Sequence, residues 1–113
     1  MQEKQITIML RSLGITHSYL GYRRIVLAVT LALDNPDRLE TVIKEIYQPV
    51  AAACGCRWTA VERTLRTLSH RAWQVNPRLL SQMAGYPLRR APSAAQFLEI
   101  LTVHAARNFI LPL

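Results

Sequence analysis

Thr59, Arg63, Arg66 and His70 follow one another at spacings of four, three and four residues. At about 100° per residue on a helix, that spacing gathers them into an arc of roughly 60°. The chemistry such a stripe can do is recognition. A guanidinium carries a planar fork of donors that matches phosphate oxygens and the O6/N7 edge of guanine, and a hydroxyl or imidazole can add a phosphate contact. Val61, Leu65, Leu68 and Ala72 fall on the opposite side of the same wheel. One helix therefore has an apolar face for a core and a basic face for a ligand.

Other constellations support less. Cys54 and Cys56 straddle Gly55, and with His70 they invite a metal reading. A structural zinc site needs four ligands at defined spacings, and this pair supplies two, so turn thiols are expected and no metal. His104 in the last helix has no evident partner. No nucleophile, base and orienting group fall together, nor do paired carboxylates or a phosphate-cradling glycine loop, so neither an enzyme nor a cofactor is expected.

The charge distribution points the same way as the stripe. The 113-residue chain has a net charge of +7. Residues 55 to 92 hold Arg57, Arg63, Arg66, Arg71, Arg78, Arg89 and Arg90 against Glu62 alone, which accounts for six of the seven net charges. A polyanion is the partner such a region suits. Half of the residues are hydrophobic, enough for one folded domain spanning 1–113. The N-terminal residues lack the basic start and apolar run of a signal peptide, and the apolar stretch Ile25 to Leu33 is about half of a membrane span. A cytoplasmic protein is expected.

The elements that must position the stripe read as all-α, with about six helices. Ile6, Met9, Leu10 and Leu13 mark a first helix ended by Gly14. A connector, residues 15 to 21, leads to a second, largely buried helix from about Tyr22 to Leu33. Asn35, Pro36 and Asp37 form a cap-and-proline start for a third, striped by Leu39, Val42, Ile43 and Ile46. Pro49 should break or kink it near Gln48, leaving a short helix at about 49–54 closed by Gly55. Thr59 and Glu62 have the form of a capping box for the long helix, about 59–74. Asn76-Pro77 opens a small helix stopped by Gly85, residues 86 to 92 form a basic loop, and Ser93 with Gln96 caps the last helix. Trp73 is expected in the core, and Trp58 has no assigned role. The apolar tail from Phe109 to Leu113 would serve either as the last piece of core or as a contact with a partner.

The short and long helices have the parts of a helix-turn-helix: a small residue (Ala51), a turn glycine (Gly55), and Val50, Cys56 and Val61 to lock the pair. In that motif the second helix enters the major groove, N-terminal residues leading. The chain also resembles the C-terminal DNA-binding domain of the master response regulator of endospore formation, stage-zero sporulation protein A. The matching pieces are Leu13-Gly14-Ile15, Gly21-Tyr22, Ile46-Tyr47 followed by Pro49, Val61-Glu62-Arg63, Leu65-Arg66, Ala72-Trp73, Gly85-Tyr86, and Pro92-Ser93 leading to Phe97, in the family's order. The resemblance implies a six-helix domain that binds a short DNA element, often as tandem copies, and regulates transcription.

Carried over residue by residue, the resemblance makes Glu62, Arg63 and Arg66 the base-contacting residues, with Arg63 the leading reader of guanine and Arg66 either a base reader or a phosphate clamp. Glu62 would either accept from a cytosine amine or serve the capping box with Thr59. Arg57, Thr59, Thr67, His70, Tyr19, Arg23 and Arg24 are the expected phosphate contacts. The chain departs from the family in the connector, where Ser18 and Leu20 replace a His and a Lys that approach phosphates, and at Arg57-Trp58, where the family has small polar residues. Family proteins carry a receiver domain ahead of this one, and a first helix starting near residue 3 leaves no room for it, as in a stand-alone effector or an excised piece. Double-stranded DNA is the expected partner, with RNA polymerase and a second copy as further ones. The alternative function is a protein-interaction module of the same fold that modulates RNA polymerase or a full-length relative without specific DNA binding.

Overall fold

Asparagine caps and left-handed glycines set most of the helix boundaries. In the computed structural model, which describes residues 2–109, helix α1 spans Gln2–Ser12 and α2 spans Tyr22–Asp34. The Asn35 side chain then accepts from the Asp37 N–H at 3.1 Å and starts a 3₁₀ turn, Pro36–Thr41. A π-helical segment, Ile43–Tyr47, runs into α3, Gln48–Cys54. Helix α4 spans Trp58–Val75, α5 spans Pro77–Ala84 with Asn76 accepting from the Leu79 N–H at 3.2 Å, and α6 spans Ala94–Phe109. Among the described residues there is no strand, so the architecture is the all-α one expected. The expected tail contact of Ile110 to Leu113 lies outside the described residues, as does the side chain of Phe109.

Two expectations about helix ends are corrected. The short helix expected at about 49–54 is present as α3, closed by Gly55, but Pro49 does not break the chain ahead of it: Tyr47 and Gln48 both keep right-handed helical backbone angles. The Gln48 N–H reaches back to the Ile43 carbonyl, and this wider turn, with an extra residue, absorbs the clash a proline ring would make in a regular helix. The third helix is therefore a 3₁₀ turn plus a π segment. It buries Ile46 and Tyr47, while Leu39 and Val42 are only half-buried and Ile43 is exposed. The second correction concerns Thr59 and Glu62, which do not form a capping box. The N-cap is Arg57, extended and without a side-chain cap, so Thr59 is already the second residue of α4. The Trp58 indole stacks on the buried Tyr47 ring, centroids 6.4 Å apart and 11° between planes, and this packing accounts for the helix beginning one residue early.

The core runs through the middle of every helix. Ile6, Leu10 and Leu13 of α1 and the following turn meet Ile25, Ala28 and Val29 of α2, and Phe97, Leu98 and Leu101 of α6 pack across α2 and α4. Val61, Leu65, Leu68 and Ala72 of α4 are buried, as their wheel position requires. Each large side chain among them contributes on the order of 1.5–3 kcal/mol by leaving water, so the orientation of α4 is fixed by the core. Gly55 adopts φ 68° as the C-cap of α3, and the N–H groups of Gly55 and Cys56 both reach the Ala51 carbonyl, forming the turn between α3 and α4. Trp73 is half-buried, at the edge of the core.

Candidate nucleic-acid interface

Fixing the apolar side of α4 inward turns Thr59, Arg63, Arg66, Thr67 and His70 outward, and all five are exposed. Arg57 is exposed just ahead of the helix, and Glu62 is half-buried on its flank. The Glu62 carboxylate lies 3.9 Å from the Arg66 guanidinium one turn on, a solvent-exposed pair that holds Arg66 only weakly. Glu62 acts inward as well. The Tyr47 hydroxyl is buried without a hydrogen-bond partner among the described residues, and its pKa is pushed up to about 12, first by burial and then by the negative charge of Glu62.

Two irregular segments wall the exposed face. On one side the connector lies against α4 because Gly21 has no side chain: a Cβ there would come within 2.7 Å of the Thr64 methyl, and φ is 88°. Arg24 donates to the Thr64 hydroxyl at 2.9 Å, and that hydroxyl donates to the Ala60 carbonyl at 2.9 Å. The Arg71 guanidinium sits 5.3 Å above the Tyr19 ring and donates from Nε to the Gly14 carbonyl at 3.3 Å. Tyr19, Leu20 and Arg24 thereby line a shallow groove with Arg63 and Thr67.

On the other side the loop of residues 85–93 is held by neutral bonds. The buried Ser69 of α4 donates to the Pro92 carbonyl at 2.7 Å, the Leu88 N–H donates to Ser81 at 3.0 Å, and Gln96 donates to the Tyr86 hydroxyl at 2.8 Å. Ser93 caps α6 by accepting the Gln96 N–H at 3.2 Å. These ties place Arg89 and Arg90 across a second groove from Arg66 and His70. Among the described residues, neither Arg63, Arg89 nor Arg90 has a carboxylate partner. The chain has no acidic residue between Glu62 and Glu99, so little local charge opposes them.

Of the residues expected from sequence, the structure brings together Thr59, Arg63, Arg66, Thr67 and His70 on one face and adds Tyr19 and Arg24 at its rim. Arg23 is exposed, and its guanidinium donates to the Ala53 carbonyl at the end of α3, at 3.5 Å. Arg89 and Arg90 belong to the basic surface and were not among the expected site residues. The signal for them was present in the charge count, but the loop could not be placed from sequence. Cys54 and Cys56 are free, half-buried thiols, and among the described residues no three metal-binding side chains cluster. His104 is half-buried in α6, where burial and then the nearby Arg107 lower its pKa.

The family model described as Sporulation initiation factor Spo0A C terminal matches residues 6–105. No solved structure matches the chain.

Proposed function

The chain belongs to the Spo0A C-terminal family of helical DNA-binding effector domains, which are not enzymes, and from that premise we propose that it regulates transcription by reading a specific duplex sequence. In this reading α4 lies in the major groove. Arg63 takes guanine O6 and N7 through two donors, with Glu62 and Arg66 reading adjacent bases. Arg57, Thr59, Thr67, His70, Tyr19, Arg23 and Arg24 position the helix on phosphates, and Arg89 and Arg90 extend that grip.

The observation that carries the proposal is the pairing of an exposed arginine face on a core-anchored helix with two segments that wall it and bring few carboxylates near. A helix presented in that way can enter a groove about 12 Å wide while its rims meet the two phosphate strands. No helix among the described residues is long and apolar enough to cross a membrane. RNA polymerase and a second copy on adjacent DNA are the protein partners the reading implies.

Selection of binders from random duplexes, followed by titration of the enriched sequence, tests this directly. One short motif should emerge, bound roughly 10³-fold or more tighter than scrambled DNA, with affinity falling steeply as salt rises. Failure to enrich any motif at low salt and high protein would leave the protein-interaction module as the better reading.

A further inference from the structure

Leu20 is 95% exposed, the most exposed of the large hydrophobic side chains among the described residues. Such exposure usually marks a floppy loop tip, yet the residues on either side of Leu20 are anchored. Tyr19 lies under the Arg71 guanidinium, Gly21 rests against Thr64, and Arg24 is bonded to the same threonine. The leucine is therefore held out from a fixed base. It lines the groove it shares with Arg63 and Thr67, the residues expected to face bases and phosphates. A leucine cannot bind phosphate. The lining of that groove carries two guanidinium groups and no carboxylate, which suits nucleic acid better than an apolar protein helix. In the major groove the one apolar group that distinguishes a base is the C5-methyl of thymine.

We propose that Leu20 is a specificity-determining residue that packs on the methyl group of a thymine beside the base pair read by Arg63. This deepens the reading of α4 as a DNA-recognition helix and depends on it. The connector then acts as a second reader alongside the helix, a role its position on α4 allows and its apolar tip defines.

The test uses the duplex selected by the wild-type chain, with each thymine replaced in turn by deoxyuracil, which lacks only the methyl group. At one thymine the replacement should weaken wild-type binding roughly fourfold, the worth of one buried methyl-sized group. Leu20→Ala, at so exposed a position, should fold as the wild type does and lose that response, binding thymine and uracil duplexes alike. Leu20→Lys should also lose it, and should steepen the dependence of log affinity on log salt by about 0.9 if the new amine reaches a phosphate. The inference is overturned if the wild type selects a motif yet no single uracil matters, or if Leu20→Ala shows the same uracil penalty. Uniform weakening by Leu20→Ala with no uracil effect would also overturn it, placing the side chain on the sugar-phosphate backbone. Absence of any selected motif would instead sink the parent reading.

Discussion

The two walls of the α4 face are built on opposite plans. On the connector side, cations hold the fold: Arg24 is bonded to Thr64, and Arg71 covers Tyr19 and bonds the Gly14 carbonyl. On the side of residues 85–93, neutral groups hold the backbone, through Ser69, Ser81 and Gln96, and Arg89 and Arg90 have no acidic partner among the described residues. A guanidinium that spends one of its donors on protein keeps its charge and its other donors for a phosphate, so it can serve both the fold and the grip. One with no protein partner can serve the grip alone. The lesson is that counting arginines near α4 does not separate those that also hold the fold from those that do not, and, with the loop unplaced, misses the second group.

Substitutions can break this contrast at its strongest points first. Gly21→Ala should destabilise the domain by about 2 kcal/mol or more, because φ of 88° is strained for alanine and the new Cβ meets Thr64. Chemical denaturation would measure it, and a loss under about 0.5 kcal/mol would mean that the connector is not seated on α4. Ser69→Ala should cost about 1–3 kcal/mol, since it leaves the buried Pro92 carbonyl without its donor. It should also weaken DNA binding, because the loop carrying Arg89 and Arg90 loses its tie.

A finer comparison sets Arg89→Gln/Arg90→Gln against Arg24→Gln. The double variant should leave stability within about 0.5 kcal/mol of the wild type and reduce the slope of log affinity against log salt by about 1.8, about 0.9 for each lost phosphate contact. Arg24→Gln should lower stability measurably as well as reduce the slope by about 0.9. An Arg24→Gln variant as stable as the wild type would erase the contrast. The smallest expected effect is that of Tyr47→Phe. Its hydroxyl is buried and unpaired among the described residues, so removing it should leave stability unchanged or raise it by up to about 1 kcal/mol, with the melting temperature as the readout. A clear loss would mean that the hydroxyl has a partner.

Much of the fold was legible because local chemistry and tertiary packing agree. Asn35 and Asn76 cap where their sequence context says they should, and the apolar face of α4 is the face that is buried. The misses have a common cause in contacts between distant residues. Thr59-x-x-Glu62 is a sound capping box in isolation, yet Trp58 stacks on Tyr47, eleven residues away, and the helix starts ahead of the threonine. Pro49 is a sound helix breaker, yet the π turn ahead of it keeps the chain helical. The site divides in the same way. Thr59, Arg63, Arg66 and His70 share one helix, so their common face follows from spacing alone. Arg89 and Arg90 reach that face through the bonds that tie their loop, among them the one from Ser69 to Pro92 across 23 residues of chain. The bonds that engage Arg24 and Arg23 are equally invisible to periodicity.

The central claim is that Arg63, presented by α4, reads a base. The most direct measurement is the ratio of affinities for the selected duplex and for duplexes changed at single base pairs, with the wild type and with Arg63→Ala at one salt concentration. The expected result is that Arg63→Ala keeps its fold and loses about 1–3 kcal/mol of discrimination at one guanine position, with the other positions unaffected. An unchanged preference at every position would contradict the assignment of α4 as the reading helix.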